Sequence, residues 1–213
     1  MILNKLGLSF ELNSNNFTAR VIGSLNLNED ILIPRCIDYQ NKDYVITSIA
    51  KYSFKGQKQI KSIRFSDDSC LLLIEKKAFF RSSINHLSLP ASIENLEEGW
   101  CHSTPKLISI SVSPQNSRFS FIDNKFLVGK SNFDSKKFDI LHFVRRDIKG
   151  EVIIPSSIKE IHKYSFCDCK LLKSIKFEEE SEIQRIHKSS FFNSSVEKVQ
   201  IPTMMKEIEG GWC

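Results

Sequence analysis

At 213 residues the chain can form one sizeable domain or two small ones, and its 41% hydrophobic and 26% charged residues are those of a globular protein. Thirty Lys and Arg against 25 Asp and Glu leave a net charge of +5, but the cations are interleaved with acids such as Glu178-Glu179-Glu180, which speaks against a nucleic-acid-binding block. Met1 to Phe10 holds one Lys and no apolar run of signal length, and nothing later reaches the length of a membrane span, so the chain as it stands reads as soluble and unprocessed.

The first expected element is a hairpin cap over residues 1–44, since short apolar runs within 7–33 flank the turn cluster Asn13-Ser14-Asn15-Asn16. Residues 45–114 then carry apolar triplets spaced i, i+3, i+5: Ile60, Ile63, Phe65; Ile84, Leu87, Leu89; Leu107, Ile110, Val112. The alternation at the last two positions predicts strands near 60–65, 84–89 and 107–112, and the crossover between successive strands makes them parallel. Pro90 ends the strand before it and has no further donor to give. Residues 115–150 read as an inserted β-hairpin island, with Phe119-Ser120-Phe121, a turn at Asp123-Asn124, Phe126 to Val128 and a last apolar run over Phe138 to Val144. A second repeat block fills 151–213, with triplets Leu172, Ile175, Phe177 and Val196, Val199, Ile201 that predict strands near 172–177 and 196–201.

The two blocks are copies. Residues 52–101 realign without a gap on 164–213 at a constant offset of 112 (164 minus 52), so Tyr52-Ser53-Phe54 returns as Tyr164-Ser165-Phe166 and Gly99-Trp100-Cys101 as Gly211-Trp212-Cys213. Inside each copy Ile49, Ile74 and Leu96, or Ile161, Ile186 and Ile208, step by 25 and then 22 residues. Periods of about 20 to 29 residues mark a leucine-rich-repeat solenoid, in which a coil buries its apolar face only against its neighbours. The fold expected is therefore one mainly β domain with short parallel inner strands. Phe54, Phe79, Phe166 and Phe191 share one repeat position and are expected in one buried stack. Cys101 and Cys213 stand at that same position, where a small buried thiol packs well, so the six cysteines read as free thiols rather than a disulfide framework. The second copy stops at Cys213, before the strand that follows Cys101 in the first. Strand 196–201 is thus expected to leave one edge unpaired, Trp212 and Cys213 to be poorly supported, and the chain to self-associate through that edge.

Signals of chemistry are weak. Gly129-Lys130-Ser131 resembles the end of a phosphate loop, but that motif needs a glycine five residues earlier, where Asn124 stands. His162 follows Ile161 as His187 follows Ile186, so adjacent coils can bring their nitrogens, and the sulfurs of Cys167 and Cys169, to one side. Zinc needs its donors converging at about 2.0 to 2.3 Å, whereas an extended Cys-x-Cys sends its two side chains to opposite faces. Cys101-His102 sits at a recurring position, which is a packing demand, and Glu97-Glu98 lies on a solvated edge. No catalytic, cofactor or metal set is assigned, and the chain reads as no enzyme. The remaining candidate is the polar face of the inner strands, where Lys61, Arg64, His86, Lys173, Lys176 and Lys198 point outward; it carries no exposed Trp or Tyr anchor.

Ile33-Pro34, Leu89-Pro90, Ile154-Pro155 and Ile201-Pro202 after the inner strands, with Ile49 to Phe54, Ile74 to Phe79 and Ile161 to Phe166 as Ile-x-x-x-(Ser or Ala)-Phe segments, resemble the BspA-like leucine-rich-repeat family over residues 7–213. The 115–150 segment also resembles the island that members from protists carry between repeat blocks. The resemblance implies a non-enzymatic surface antigen or adhesin that binds a host or matrix protein, at the cell surface or secreted. The alternative reading is an intracellular repeat scaffold or a basic repeat protein associated with nucleic acid.

Overall fold

In the first repeat block each apolar triplet closes a coil, because its first residue is buried just before the strand and its last four positions run in extended alternation. In the computed structural model, which describes residues 1–25 and 28–213, every regular element is a β-strand. Residues 26 and 27, inside the segment expected as a cap, lie outside the described residues. Contacts divide the chain into two units, Met1–Thr104 with Ile110–Asn116, and Pro105–Ser109 with Ser117–Cys213.

The first unit starts with an antiparallel meander of β1 (Ile2–Lys5), β2 (Leu8–Asn13) and β3 (Thr18–Ser24). The Asn13 side chain closes the β2–β3 turn by accepting the Asn15 amide at 3.0 Å. β4 (Asp30–Ile33) then begins the inner sheet, and β5 (Cys36–Tyr39) pairs with β6 (Lys42–Ile49) across Gln40 and Asn41, both left-handed, as a two-residue hairpin turn requires. β6 lies parallel to β3 and carries the outer sheet on to β8 (Leu73–Ile74) and β10 (Asn95–Leu96), while β7 (Ser62–Phe65), β9 (His86–Leu89) and β11 (Ser109–Val112) extend the inner sheet from β4.

The second unit repeats this plan. β12 (Phe119–Ile122), β13 (Phe126–Gly129) and β14 (Ile140–Val144) form a meander whose first turn, Asp123-Asn124, is again left-handed at both residues. The inner sheet begins at β15 (Gly150–Ile154) and continues through β17 (Leu172–Phe177) to β19 (Lys198–Val199). The outer sheet runs from β14, in parallel, to β16 (Glu160–Ile161), β18 (Arg185–Ile186) and β20 (Glu207–Ile208). The segment read as an island thus occupies the place of the N-terminal meander.

The strands depart from expectation in detail. Ile60, Ile84 and Leu107, expected to open strands, are buried in the turn just before β7, β9 and β11. β17 fills its expected span, but the strand expected over 196–201 shrinks to two residues at the sheet edge, where no later coil completes a ladder among the described residues.

The corner of each coil explains the recurring Ser-Phe. Tyr52, Lys77, Gly99, Tyr164, Ser189 and Gly211 all adopt left-handed φ between 57° and 71°, which turns the chain sharply into the core. The next residue is small in four of these corners and, where it is serine, its hydroxyl caps buried carbonyls: Ser165 Oγ lies 2.8 Å from the Leu141 carbonyl and 2.6 Å from that of His162. The residue after that is the aromatic. Phe54 stacks on Phe79 at 5.4 Å and Phe166 on Phe191 at 4.7 Å, all four buried, so the rings form two pairs, one in each unit, rather than the one stack expected. In the third corner the bulk moves back one position. Trp100 and Trp212 set their rings edge-on against Phe79 and Phe191 at 6.1 and 5.3 Å; Cys101 takes the Phe position as the buried thiol expected, whereas Cys213, at the same position of the second copy, is exposed. Trp212 is therefore better held than expected: its carbonyl accepts the Phe191 amide at 2.9 Å, and the Gly211 carbonyl accepts that of Ser189 at 2.6 Å.

Candidate functional site

In the first inner strand of each unit, β4 and β15, alternation turns Asp30 and Leu32, or Glu151 and Ile153, outward between buried neighbours. Register then sets the rows. Asp30 stands beside Ser62 and His86 and Leu32 beside Arg64; Glu151 stands beside Ser174 and Lys198 and Ile153 beside Lys176. Leu32 is 60% and Ile153 52% exposed. Each unit therefore presents, at one repeat position, a bare aliphatic side chain flanked by a cation.

The basic residues chosen from the sequence are all on these faces, Lys61, Arg64 and His86 in the first unit and Lys173, Lys176 and Lys198 in the second. Three of them face acids on neighbouring coils: Lys61 pairs with Glu29 at 2.5 Å, Lys173 with Glu197 at 2.5 Å and Lys176 with Glu151 at 3.0 Å. Ser62 donates to Asp30, and Ser174 to Glu151 at 3.0 Å. Such exposed pairs stabilise by only about 0 to 1 kcal/mol each, but they neutralise the face and fix its side chains. Arg64 and Lys198 make no ion pair among the described residues. Burial, and then the Arg64 charge beside it, lowers the pKa of His86 below the ordinary imidazole value. The exposed Leu32 and Ile153 were missed in the sequence, although each precedes an Ile-Pro end in the same alternation as the later strands.

At the carboxyl ends of the inner strands both units have an open cleft at matching positions. The first, of about 620 Å³, is bordered by Phe65, Asp67, Pro90 and Gln115; the second by Phe177, Glu179, Gln200 and Pro202.

The other motifs find structural roles. Gly129 ends β13 where a Cβ would lie 2.6 Å from His142 Nε2, so the glycine makes room for that half-buried ring. The Ser131 amide and hydroxyl both donate to Asp139 at 2.8 Å, which makes Gly129-Lys130-Ser131 the start of a hairpin loop and not a phosphate cradle. His162 and His187 do come together, with ring centroids 5.2 Å apart. Cys167 and Cys169 do not join them: both are in the core, and burial raises the Cys169 thiol pKa against the lowering by Arg146. The group that does accompany the two imidazoles is the Glu160 carboxylate, which sequence reasoning missed although Glu160 and His162 flank the inward Ile161.

Comparison with known proteins agrees with this architecture. A family model described as the BspA type leucine-rich repeat region matches in six copies, over residues 37–139 and 143–211. The solved structure of a leucine-rich cell surface protein from Faecalibacterium prausnitzii A2-165 superposes with a TM-score of 0.54 at 14% identity, covering 96% of this chain and 77% of that one. A leucine-rich repeat protein of T. pallidum superposes with a TM-score of 0.55 at 13% identity, covering 98% and 84%. No curated protein sequence matches the chain. Among the described residues no helix is long and apolar enough to cross a membrane.

Proposed function

The chain belongs to the BspA-type leucine-rich-repeat family, and from that premise we propose that its inner strand faces bind a protein ligand, without catalysis, as a surface antigen or adhesin does. The observation that carries the reading is the recurrence, at one repeat position in both units, of an exposed aliphatic beside a cation: Leu32 with Arg64, and Ile153 with Lys176. An aliphatic side chain is left in water twice, on the first strand of each inner sheet, beside a cation of the next strand. Lys61, His86, Lys173 and Lys198 surround these two spots, and the name of the Faecalibacterium structure supports the cell surface as the place of action.

Two experiments test the reading. Protein-coated beads should adhere to cultured cells or to immobilised matrix proteins, and the variant Leu32→Asp, Arg64→Glu, Ile153→Asp, Lys176→Glu should adhere far less while keeping its circular dichroism spectrum. Equal adhesion by the two proteins removes these faces from consideration. Antibody labelling of intact cells of the source organism tests the compartment: a signal that needs permeabilisation points to an intracellular scaffold instead.

A further inference from the structure

The outer sheet of the second unit carries a column of imidazoles that the inner-face reading does not use. In β16 the backbone alternation buries Ile161 and leaves Glu160 and His162 on the opposite side, two positions apart. The parallel register pairs Ile161 with Ile186, and so puts His187 directly beside His162. One donor atom each from Glu160, His162 and His187 then lies within 4.8 Å of the other two, and all three residues are partly buried. Behind them the half-buried His142 ring packs against His162 at 4.6 Å.

His187 is held at both nitrogens. Its Nδ1 lies 2.8 Å from Glu209 Oε1 and its Nε2 2.9 Å from Glu160 Oε2. Glu209 itself is anchored, since its second oxygen accepts the Lys188 amide at 3.0 Å. The other oxygen of Glu160 faces Arg185 Nη1 at 3.5 Å, which turns Oε2 toward the histidines. A neutral imidazole has one N–H and can donate to only one of two carboxylates; its second nitrogen then aims a lone pair at an anionic oxygen. A cation between them relieves that contact. With Nδ1–H donating its hydrogen bond to Glu209, the Nε2 lone pair, a His162 nitrogen and the Glu160 oxygen converge, and a carboxylate behind a ligating imidazole is the usual means of fixing its tautomer.

We propose that Glu160, His162 and His187 bind one divalent metal ion of the zinc type, with Glu209 as the positioning carboxylate. Two imidazoles and one carboxylate suit zinc, cobalt or nickel better than calcium or magnesium, which prefer oxygen alone. Tetrahedral bonds of about 2.0 to 2.1 Å put ligand atoms about 3.4 Å apart, so the spread here closes by side-chain rotation of an ångström or so on a fixed sheet. The fourth position is left to water. The first unit is an internal control: Ser48, Ala50 and Glu75 occupy the matching positions on the same scaffold, and no imidazole stands there.

Titration of the untagged full chain with Co²⁺ tests this. One equivalent should develop the visible bands of a four- or five-coordinate ion without the intense near-ultraviolet band of a thiolate ligand, and Zn²⁺ should displace it. Glu160→Gln and His187→Gln should each weaken Zn²⁺ binding at least tenfold, and Glu209→Gln by about 10- to 100-fold, whereas His86→Gln should leave it unchanged. On the unsubstituted protein, Co²⁺ should perturb the ring signals of His162 and His187 before those of His86, a readout that survives if a variant fails to fold. Absence of saturable binding, a thiolate band, wild-type affinity in folded Glu160→Gln, or earlier perturbation of His86 each overturns the site.

Discussion

A single ring at position 166 shows how a repeat uses one residue. Phe166 is fully buried and stacked on Phe191, and the left-handed Tyr164 two residues before it aims the side chain inward. Phe166→Ala removes the ring's transfer energy and leaves a cavity between rigid coils, so chemical denaturation should show a loss of roughly 3 to 5 kcal/mol. An unchanged midpoint would mean the stack does not support the second unit. His86 illustrates a different constraint. Its pKa is lowered by burial and then by Arg64, so the folded form resists a proton that the unfolded chain accepts. For a depressed folded value, stability is lost as pH falls from the ordinary imidazole value of about 6.5 through the folded midpoint. Proton NMR should place the His86 midpoint below 6.5, and Arg64→Gln should move it upward. A midpoint indifferent to Arg64 leaves burial as the sole cause.

Among the elements, the last coil differs from its copy in what covers it. Leu89 is 1% exposed between β9 and its neighbours, whereas Ile201, at the same repeat position, is 43% exposed beyond β19. β19 is correspondingly short, two residues against four in β9, and among the described residues it pairs with β17 alone, whereas β9 lies between β7 and β11. Hydrogen exchange should therefore be faster over residues 198–208 than over 86–96, because opening the former exposes little buried surface. Appending a copy of residues 102–114 should slow it and should reduce any self-association through the open edge. Equal protection of the two segments in the unextended chain would show that Trp212 and the corner bonds suffice as a cap.

For the whole molecule, charge and topology decide most. The net charge of +5 is spread over coils whose lysines face acids, so no continuous basic stripe results. Binding to a random DNA duplex at physiological salt should be no tighter than the non-specific range of about 10⁻⁴ to 10⁻⁶ M, and titration across salt should give a shallow slope. A slope matching many phosphate contacts would restore the nucleic-acid reading. Much of the fold was legible in the chain. The triplets, the Ser-Phe corners and the Ile-Pro ends report burial and backbone turning, which are properties of single positions and recur with the coil. The ion pairs were not, since Lys61 meets Glu29 and Lys173 meets Glu197 only after strand register has set which side chains stand abreast. Glu160 joined the two histidines for the same reason. Nor did the sequence reveal that the cap and the island hold one place in two units: Thr18–Ser24 and Ile140–Val144 share no obvious pattern, and only their parallel pairing to β6 and β16 makes them equivalent. What the sequence determined by itself was which residues each coil buries; the hydrogen-bond register between coils, which depends on residues far apart in the chain, decided what those coils bring together.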